Sequence, residues 1–461
     1  MTSESLLGAL EAARLKHGVP GVSAAFYEGG VLRAAAGGVA NLSTGVAMST
    51  ETLAHIGSIT KTLNATILMQ LVDEGKVALD RKLIEYWPDF RVEDDEATRA
   101  ISVEMLVNHT SGIDGTLLPD LGHDEETIEK TARRFAHVRQ VHAPAHGRSY
   151  CNAGTVLAGY LAQRITGTGW YDLVKERIFK PLGMEHAAVL PEDALLHRTS
   201  VGHFRDGPTG RLKRSSHLFL PIGYASAGST AMMSASALLT FARMHLGNGA
   251  AHNGARLLST ESAVRMRAPS PPIDGPAAFD CGIGWIRNKA EVVQHGGGGP
   301  GIVSCLFVHV PSQTAAAVLT NAEYGIDVIA DLINPFMKEH AGFEPFPLPP
   351  KPVRVAPANL ERYVGRYENS SDVHEFSLVD GSLMWSAHSQ HRFYDSSRLD
   401  APPPTRLVPA EGGVFLGHRG HGLAARDCAV IGFADPDADG KFRYAFQRLW
   451  LYRRRDARRT R

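Results

Sequence analysis

Cysteine is scarce. Cys151, Cys281, Cys305 and Cys428 are the whole complement of a 461-residue chain, too few and too scattered for a disulfide framework or a structural zinc site, and they read as buried thiols. An excess of charge of one sign is also missing. With 48 basic and 48 acidic residues the formal net charge is zero, so the chain as a whole carries no electrostatic footprint for nucleic acid. No segment approaches the roughly 18 uninterrupted apolar residues of a membrane span. The opening "MTSESLLGALEAARLKHG" has acidic residues early and lacks the basic start and unbroken apolar core of a secretion signal. The expectation is a cytoplasmic protein with no nucleic-acid and no membrane partner. Internal repeats and low-complexity tracts are absent too.

What is present is an ordinary globular composition, 44% apolar and 21% charged, on a chain long enough for two or three domains. The sharpest break is "FEPFPLPPKPVRVAPANL", where six prolines forbid regular helix and central strand. It divides the chain into residues 1–345, a linker at 346–358, and residues 359–461. The first part mixes patterns. "GVSAAFYEGGVLRAAAGGVA" reads as two strands around Gly29-Gly30, whereas residues 58–75, 154–166 and 234–246 carry apolar side chains at helical spacing. "EVVQ" and "GIVSCLFVHVP" are strand-like on either side of a glycine run. The expected fold class is therefore α+β. After the linker, "RYVGRYEN", "HEFSLVDGSLMWSA", "TRLVPAEGGVFLG" and "KFRYAFQRLWLYR" are short alternating runs between turn residues, as in an all-β sandwich or barrel of about 100 residues.

Ser58 is the only serine followed three positions later by lysine, Lys61. Residues three apart on a helix share a face, and a lysine walled in by Ile56, Ile59, Leu63 and Ile67 has its charged form disfavoured, so it can take the serine proton. Taken alone, the pair reads as well as an N-cap and a solvated first-turn residue. Two further elements change the context. Tyr150 and Asn152 flank Cys151 just before a helix, so both can face one cleft with Cys151 turned away. His295, placed at a strand end, is followed by Gly296, Gly297, Gly298 and Gly299, where a ligand backbone can approach and amides can bind an oxyanion.

These stretches, together with "LVNHTSGI", "FKPLGMEHA", "MSASALLTFARMHL" and "GIGW", occur in the order and spacing of the serine β-lactamase and penicillin-binding-protein-like family. The chain resembles that family over roughly residues 8–340. The resemblance implies a β-lactamase/transpeptidase-like domain, with an antiparallel sheet flanked by helices, in which Ser58 is acylated, Lys61 is its base and Tyr150 passes the proton to the leaving group. It implies that Asn152 holds the substrate amide, that amides of Ser58 and Gly298 form the oxyanion hole, and that Gly296 and Gly297 line the substrate strand. No cofactor and no metal is implied. Residues 359–461 look like the lipocalin-like β-barrel appended to many of these proteins.

His295 stands where penicillin-targeted enzymes carry a lysine. A neutral or switchable imidazole weakens the case for antibiotic-carboxylate binding, and is similar instead to the family's esterases, D-amino-acid peptidases and peptide cyclases. The expected substrate is a peptidyl thioester, ester or amide, with a peptidyl carrier protein as a partner for the cyclase reading. Hydrolysis of the same acyl-enzyme is the alternative. A binding protein that has lost the chemistry is disfavoured by intact Ser58, Lys61, Tyr150 and Asn152.

The remaining candidates have blander readings. His142 and His146 are four apart, but Pro144 lies between them and the pair reads as surface loop. Cys151, inside the cleft motif, reads as structural. His55 and His109 read as caps or core. Tyr367 and Asn369 repeat the Tyr-x-Asn pattern in a strand beyond the linker. The six arginines from Arg453 to Arg461 read as a solvated tail or a dock for an acidic partner. Arg448 is expected on a strand that can face the cleft and pair with a substrate carboxylate or carbonyl.

Overall fold

A computed structural model describes residues 2–115, 120–124, 126–206, 210–354, 359–390, 403–418 and 428–455. Its central element is an eight-stranded antiparallel sheet in the order 46–47, 31–41, 21–28, 314–320, 302–309, 293–299, 286–287 and 280–281. Both faces are covered, which explains why strands such as "TAAAVLT" read as continuous apolar runs. Alternate side chains point to opposite faces. Phe26, Phe307, Ala316 and Val318 pack under the first helix, Ser3–His17, and the helix Ile326–Ala341. Ala25, Leu306, Ala317 and Leu319 join a larger core on the other face. That core holds the helices Thr60–Asp73, Asn152–Thr166 and Ala235–Leu246. Gly29 and Gly30, both at positive φ, form the two-residue turn between the strands Gly21–Glu28 and Val31–Asn41. The fold is thus the expected α+β one.

Residues 343–354 run irregularly from the last helix to the second domain and are tied at each end. Asn334 pairs through its amide side chain with both backbone groups of Phe346, and Val353 donates to Pro409 O. Beyond them, nine antiparallel strands form one sheet, from 405–406 round to 408–410. The first and last strands are separated by Leu407 alone, so the sheet nearly closes on itself. Tyr363, Tyr367, Phe376, Trp385, Phe415 and Tyr452 fill the interior as a solid aromatic core. Tyr367 is part of that core, and Asn369 accepts from the amides of Ser371 and Asp372, so this second Tyr-x-Asn copy holds the barrel together.

The barrel sits on its own chain's first domain. Asp114, buried, accepts from Ser370 N at 2.7 Å and pairs with Arg139, which also reaches Glu368. Val141 packs with Tyr444 and Leu451. Among the described residues no helix is long and apolar enough to cross a membrane, and no group of metal-ligating side chains gathers. All four cysteines are free thiols. Arg458, Arg459 and Arg461 of the basic tail lie outside the described residues.

Candidate active site

Ser58 does not open the α-helix itself. It occupies a tight turn of 3-10 helix, Gly57–Ile59, which leads into the helix Thr60–Asp73. Gly57 has φ +52°, and a side chain there would meet Gly298 N at 2.6 Å. The turn bearing the serine therefore lies hard against the glycine strand, which only a residue without Cβ allows. Lys61 follows in the first turn of the α-helix, whose residues from Thr60 to Met69 are all buried. Its Nζ is 2.9 Å from Ser58 Oγ and donates to Ala227 O at 2.6 Å. Burial lowers the lysine's pKa to about 7, so an appreciable fraction is neutral near neutral pH.

Ala227 comes from a 3-10 segment, Ile222–Ala227, that sequence reasoning did not single out. Gly228 ends it at φ +112°, where a Cβ would lie 2.3 Å from Gly57 O. This close approach brings the Ala227 carbonyl to the lysine. Residue types carry no signal for it beyond the glycine itself.

Tyr150 precedes the helix Asn152–Thr166, and its phenol lies beside the Ser58 hydroxyl. Lys61 Nζ lies over its ring, 4.9 Å from the centroid. Burial raises the phenol pKa well above its ordinary value, so it remains a hydroxyl. Cys151 is turned away: its thiol donates to Ile113 O and accepts from Gly154 N, capping the helix. Asn152 is the first residue of that helix, beside Tyr150 on the chain.

His109, expected as cap or core, does more than that. At φ +63° it stacks on Tyr150 with centroids 4.6 Å apart and planes at 24°. Its Nδ1 accepts from Cys151 N at 3.1 Å, which requires the unprotonated form at that nitrogen. Burial first, then the charge of Lys61, pushes its pKa well below the ordinary value. His55, also buried, accepts from Gly57 N and donates to Ser229 O, bracing the serine turn.

His295 is not at a strand end. The strand Val293–Gly299 runs through the whole glycine series, and the turn is Pro300-Gly301. On this strand His295, Gly297 and Gly299 are buried while Gly296 and Gly298 are exposed. A side chain at Gly297 would come within 1.9 Å of Ile56 O, so glycine lets the strand press on the segment leading to Ser58. One edge pairs along its length with the strand Ile302–His309, but among the described residues the other meets a strand partner only at Val293 and Gln294. From His295 onward that second edge faces the cleft, a geometry suited to an added peptide strand. The His295 ring lies 6.1 Å from Tyr150. Its Nδ1 is 2.7 Å from Gly296 O, which can only accept, so Nδ1 carries the proton and buried Nε2 is left as a lone pair with no partner among the described residues. Burial, reinforced by Lys61, holds its pKa at about 3.

Two expectations are corrected. Arg448 is not on a strand: it forms, with Leu449, the exposed turn between the strands Phe442–Gln447 and Trp450–Arg455, at φ +52°. A hairpin needs two residues at its tip, and the alternating pattern does not say which. His142 is not on the surface. It is 1% exposed, donating from Nδ1 to Ala143 O, while His146 lies 3.9 Å from Asp435 of the barrel. The turn through Ala145, at φ +62°, breaks the helical spacing that would have brought the two rings together.

Residues outside the quoted motifs complete the surroundings of Tyr150. Phe279 lies 6.4 Å and Trp450 5.5 Å from its ring. Nothing local in the sequence marks either.

Comparison with known proteins agrees with this geometry. The family model described as Beta-lactamase matches residues 7–333. "Penicillin-binding protein 4" of Amycolatopsis lactamdurans is 34% identical over 75% of this chain and 94% of its own. SurE, whose structure has also been solved with D-Leu, superposes with a TM-score of 0.79 at 22% identity over 98% of this chain and 99% of its own. The D-amino acid amidase of Ochrobactrum anthropi SV3 gives 0.60 at 24% identity over 73% of this chain and 98% of its own. The two structural likenesses establish the fold across both domains and across the first. The family match and the penicillin-binding-protein relative go further, and on them this chain belongs to the β-lactamase family, as a penicillin-binding-protein homologue of the serine hydrolase and acyltransferase type.

Proposed function

We propose that the protein carries a peptidyl group as an ester on Ser58 and releases it by macrocyclisation, acting on a nonribosomal peptide presented as a thioester or ester. The observation that carries the acyl-enzyme reading is the Ser58–Lys61 contact of 2.9 Å at a lysine whose pKa is lowered to about 7. Neutral Lys61 takes the hydroxyl proton as Oγ attacks the substrate carbonyl. The Tyr150 hydroxyl gives its proton to the departing thiolate, alkoxide or amine and recovers one from the Lys61 ammonium. Amides of Ser58 and Gly298 bind the oxyanion, and Asn152 with the edge at Gly296 and Gly297 aligns the peptide. The α-amine of the same peptide then attacks the ester and loses a proton to the Lys61–Tyr150 pair, which returns one to the departing Ser58 oxygen as the acyl C–O bond breaks.

A neutral His295 supports a substrate without a free carboxylate at that position, in keeping with a carrier-bound peptide. A fold neighbour solved with D-Leu, and another that is a D-amino acid amidase, favour a D-configured residue at the acyl carbonyl. The amidase likeness equally supports a second reading, in which water resolves the acyl-enzyme and the protein is a D-stereospecific peptidase or an esterase. Arg448, on the hairpin tip, is the candidate in either case for contact with a substrate carbonyl.

Product mass spectrometry on linear peptidyl thioesters with a D- or L-residue at the C-terminus separates these. Product one water lighter than the free acid, dependent on Ser58 and the D-residue, is the expected result. Free acid alone establishes the hydrolase.

A further inference from the structure

The barrel does not only rest near the cleft; it holds the proton-transferring tyrosine. Two consecutive residues of the first domain are paired to its last hairpin: Tyr150 N donates to Leu449 O at 2.8 Å, and Leu451 N donates to Ser149 Oγ at 3.0 Å. Between these two hydrogen bonds stands Trp450. Alternation along Trp450–Arg455 sends Leu451 outward onto Val141, and places Trp450 with Tyr452 on the side of the barrel core. At the mouth of the barrel the indole therefore packs on core side chains behind it and on Tyr150 in front, at 5.5 Å and 68°, an edge-to-face geometry. The Tyr150 ring is also stacked on by His109, at 4.6 Å. The indole N–H is buried and makes no hydrogen bond among the described residues, so what Trp450 contributes is its ring.

From this arrangement we infer that Trp450 is a positioning residue for Tyr150, so that the barrel supplies part of one composite active site. The inference rests on the acyl-enzyme reading given above. The phenol must stay within hydrogen-bonding reach of Ser58 while a bulky peptide enters beside it. Backbone bonding fixes where residue 150 starts, but a tyrosine can still turn about two side-chain torsions. His109 limits movement towards one face, and Trp450 closes the space into which the ring would swing. Without the indole the phenol leaves the serine for part of the time, and each productive encounter becomes rarer. Substrate affinity, which depends on the glycine strand and Asn152, is not affected.

The test uses the full chain and a fluorogenic serine-reactive phosphonate, with Trp450→Ala, Trp450→Leu and Trp450→Phe. Titration by the phosphonate counts competent sites, and so separates misfolded protein from slow protein. Acylation by a peptidyl ester is then measured per titrated site. Alanine and leucine are expected to slow acylation about 10–100-fold with KM unchanged, since displacement of a reacting group by about 1 Å costs on the order of 100-fold. Phenylalanine, which keeps an edge-to-face ring, is expected to restore most of the rate. Wild-type acylation per site in the alanine or leucine variant overturns the inference. So does a loss that appears wholly in KM or in the number of titratable sites, or a phenylalanine variant as slow as leucine. Failure of the phosphonate to label Ser58 in the wild-type protein overturns the acyl-enzyme reading instead.

Discussion

Ser58 meets Lys61 and Tyr150 meets Trp450, yet the first pair is three residues apart and the second three hundred. The nearer pair is made by helix geometry, which brings every residue beside the one a turn away. The farther pair exists because a barrel hairpin, reached through a proline-rich connection, lands on the loop before the helix Asn152–Thr166. Contact of the first kind forms as soon as the serine turn and its helix do, although the lysine is made neutral only by burial. Chemistry that depends on the second is secured only when both domains are folded and docked. In the proposed mechanism the site uses local contact for its nucleophile and base, and long-range contact to aim its acid.

The contrast is broken most completely at its local end. Ser58→Ala is expected to abolish both turnover and covalent labelling by the phosphonate, read by intact mass. Next come Lys61→Ala and Tyr150→Phe, each expected to lower acylation by ~10²–10⁴-fold, the usual contribution of proton transfer. Near-normal stopped-flow acylation in either removes its assigned role.

A pH profile sharpens the comparison without a mutation. In the proposed mechanism Lys61 acts as the neutral base, and its pKa is lowered to about 7, so acylation should rise with pH up to about 7 and then level. The Tyr150 phenol is raised rather than lowered, so it stays protonated across the plateau. His295, held at about 3, should add no inflection near the ordinary histidine value. An ascending limb that persists towards the ordinary lysine pKa would mean that the base is not Lys61 in its buried setting.

Gly228→Ala attacks the packing that brings Ala227 O to Lys61. Its Cβ would lie 2.3 Å from Gly57 O at a φ that L-residues rarely adopt, and strain of this kind costs about 1–3 kcal/mol. A lower thermal midpoint and slower acylation are expected together, by calorimetry and by the phosphonate assay. The smallest effect is expected at the domain contact. Asp114→Ala leaves Arg139 and Ser370 N without their carboxylate, a loss of about 1–3 kcal/mol for a buried hydrogen-bonded group. Urea unfolding followed separately through each domain should show weakened docking, with labelling of Ser58 retained.

Much of this was legible before any coordinates. The two strands around Gly29-Gly30, the helices at 58–75, 154–166 and 234–246, and the all-β character of the last hundred residues follow from periodicity, which is a property of neighbours. Where reading failed, the missing information was not local. The glycine run looks like a loop because glycine disfavours strands, but its burial against Ile56 makes a side-chain-free strand the better solution. His142 looks like a surface residue because its neighbours are turn formers, though the chain folds back to bury it. Arg448 was misplaced because alternation sets the face of a strand residue and not the register of the turn.

The sequence by itself determined that a lysine follows a serine by about one helical turn, that a tyrosine and an asparagine flank a buried thiol before another helix, and that four glycines follow a histidine. Spacing along the chain settles such things, since backbone geometry repeats over a few residues. Only the tertiary structure decided that Lys61 is neutral near pH 7 and held beside the serine, that His295 holds its lone pair inward, and that the chain's own barrel closes on Tyr150. Those outcomes depend on which groups are removed from water and on which distant surfaces meet, and neither is a property of neighbouring residues.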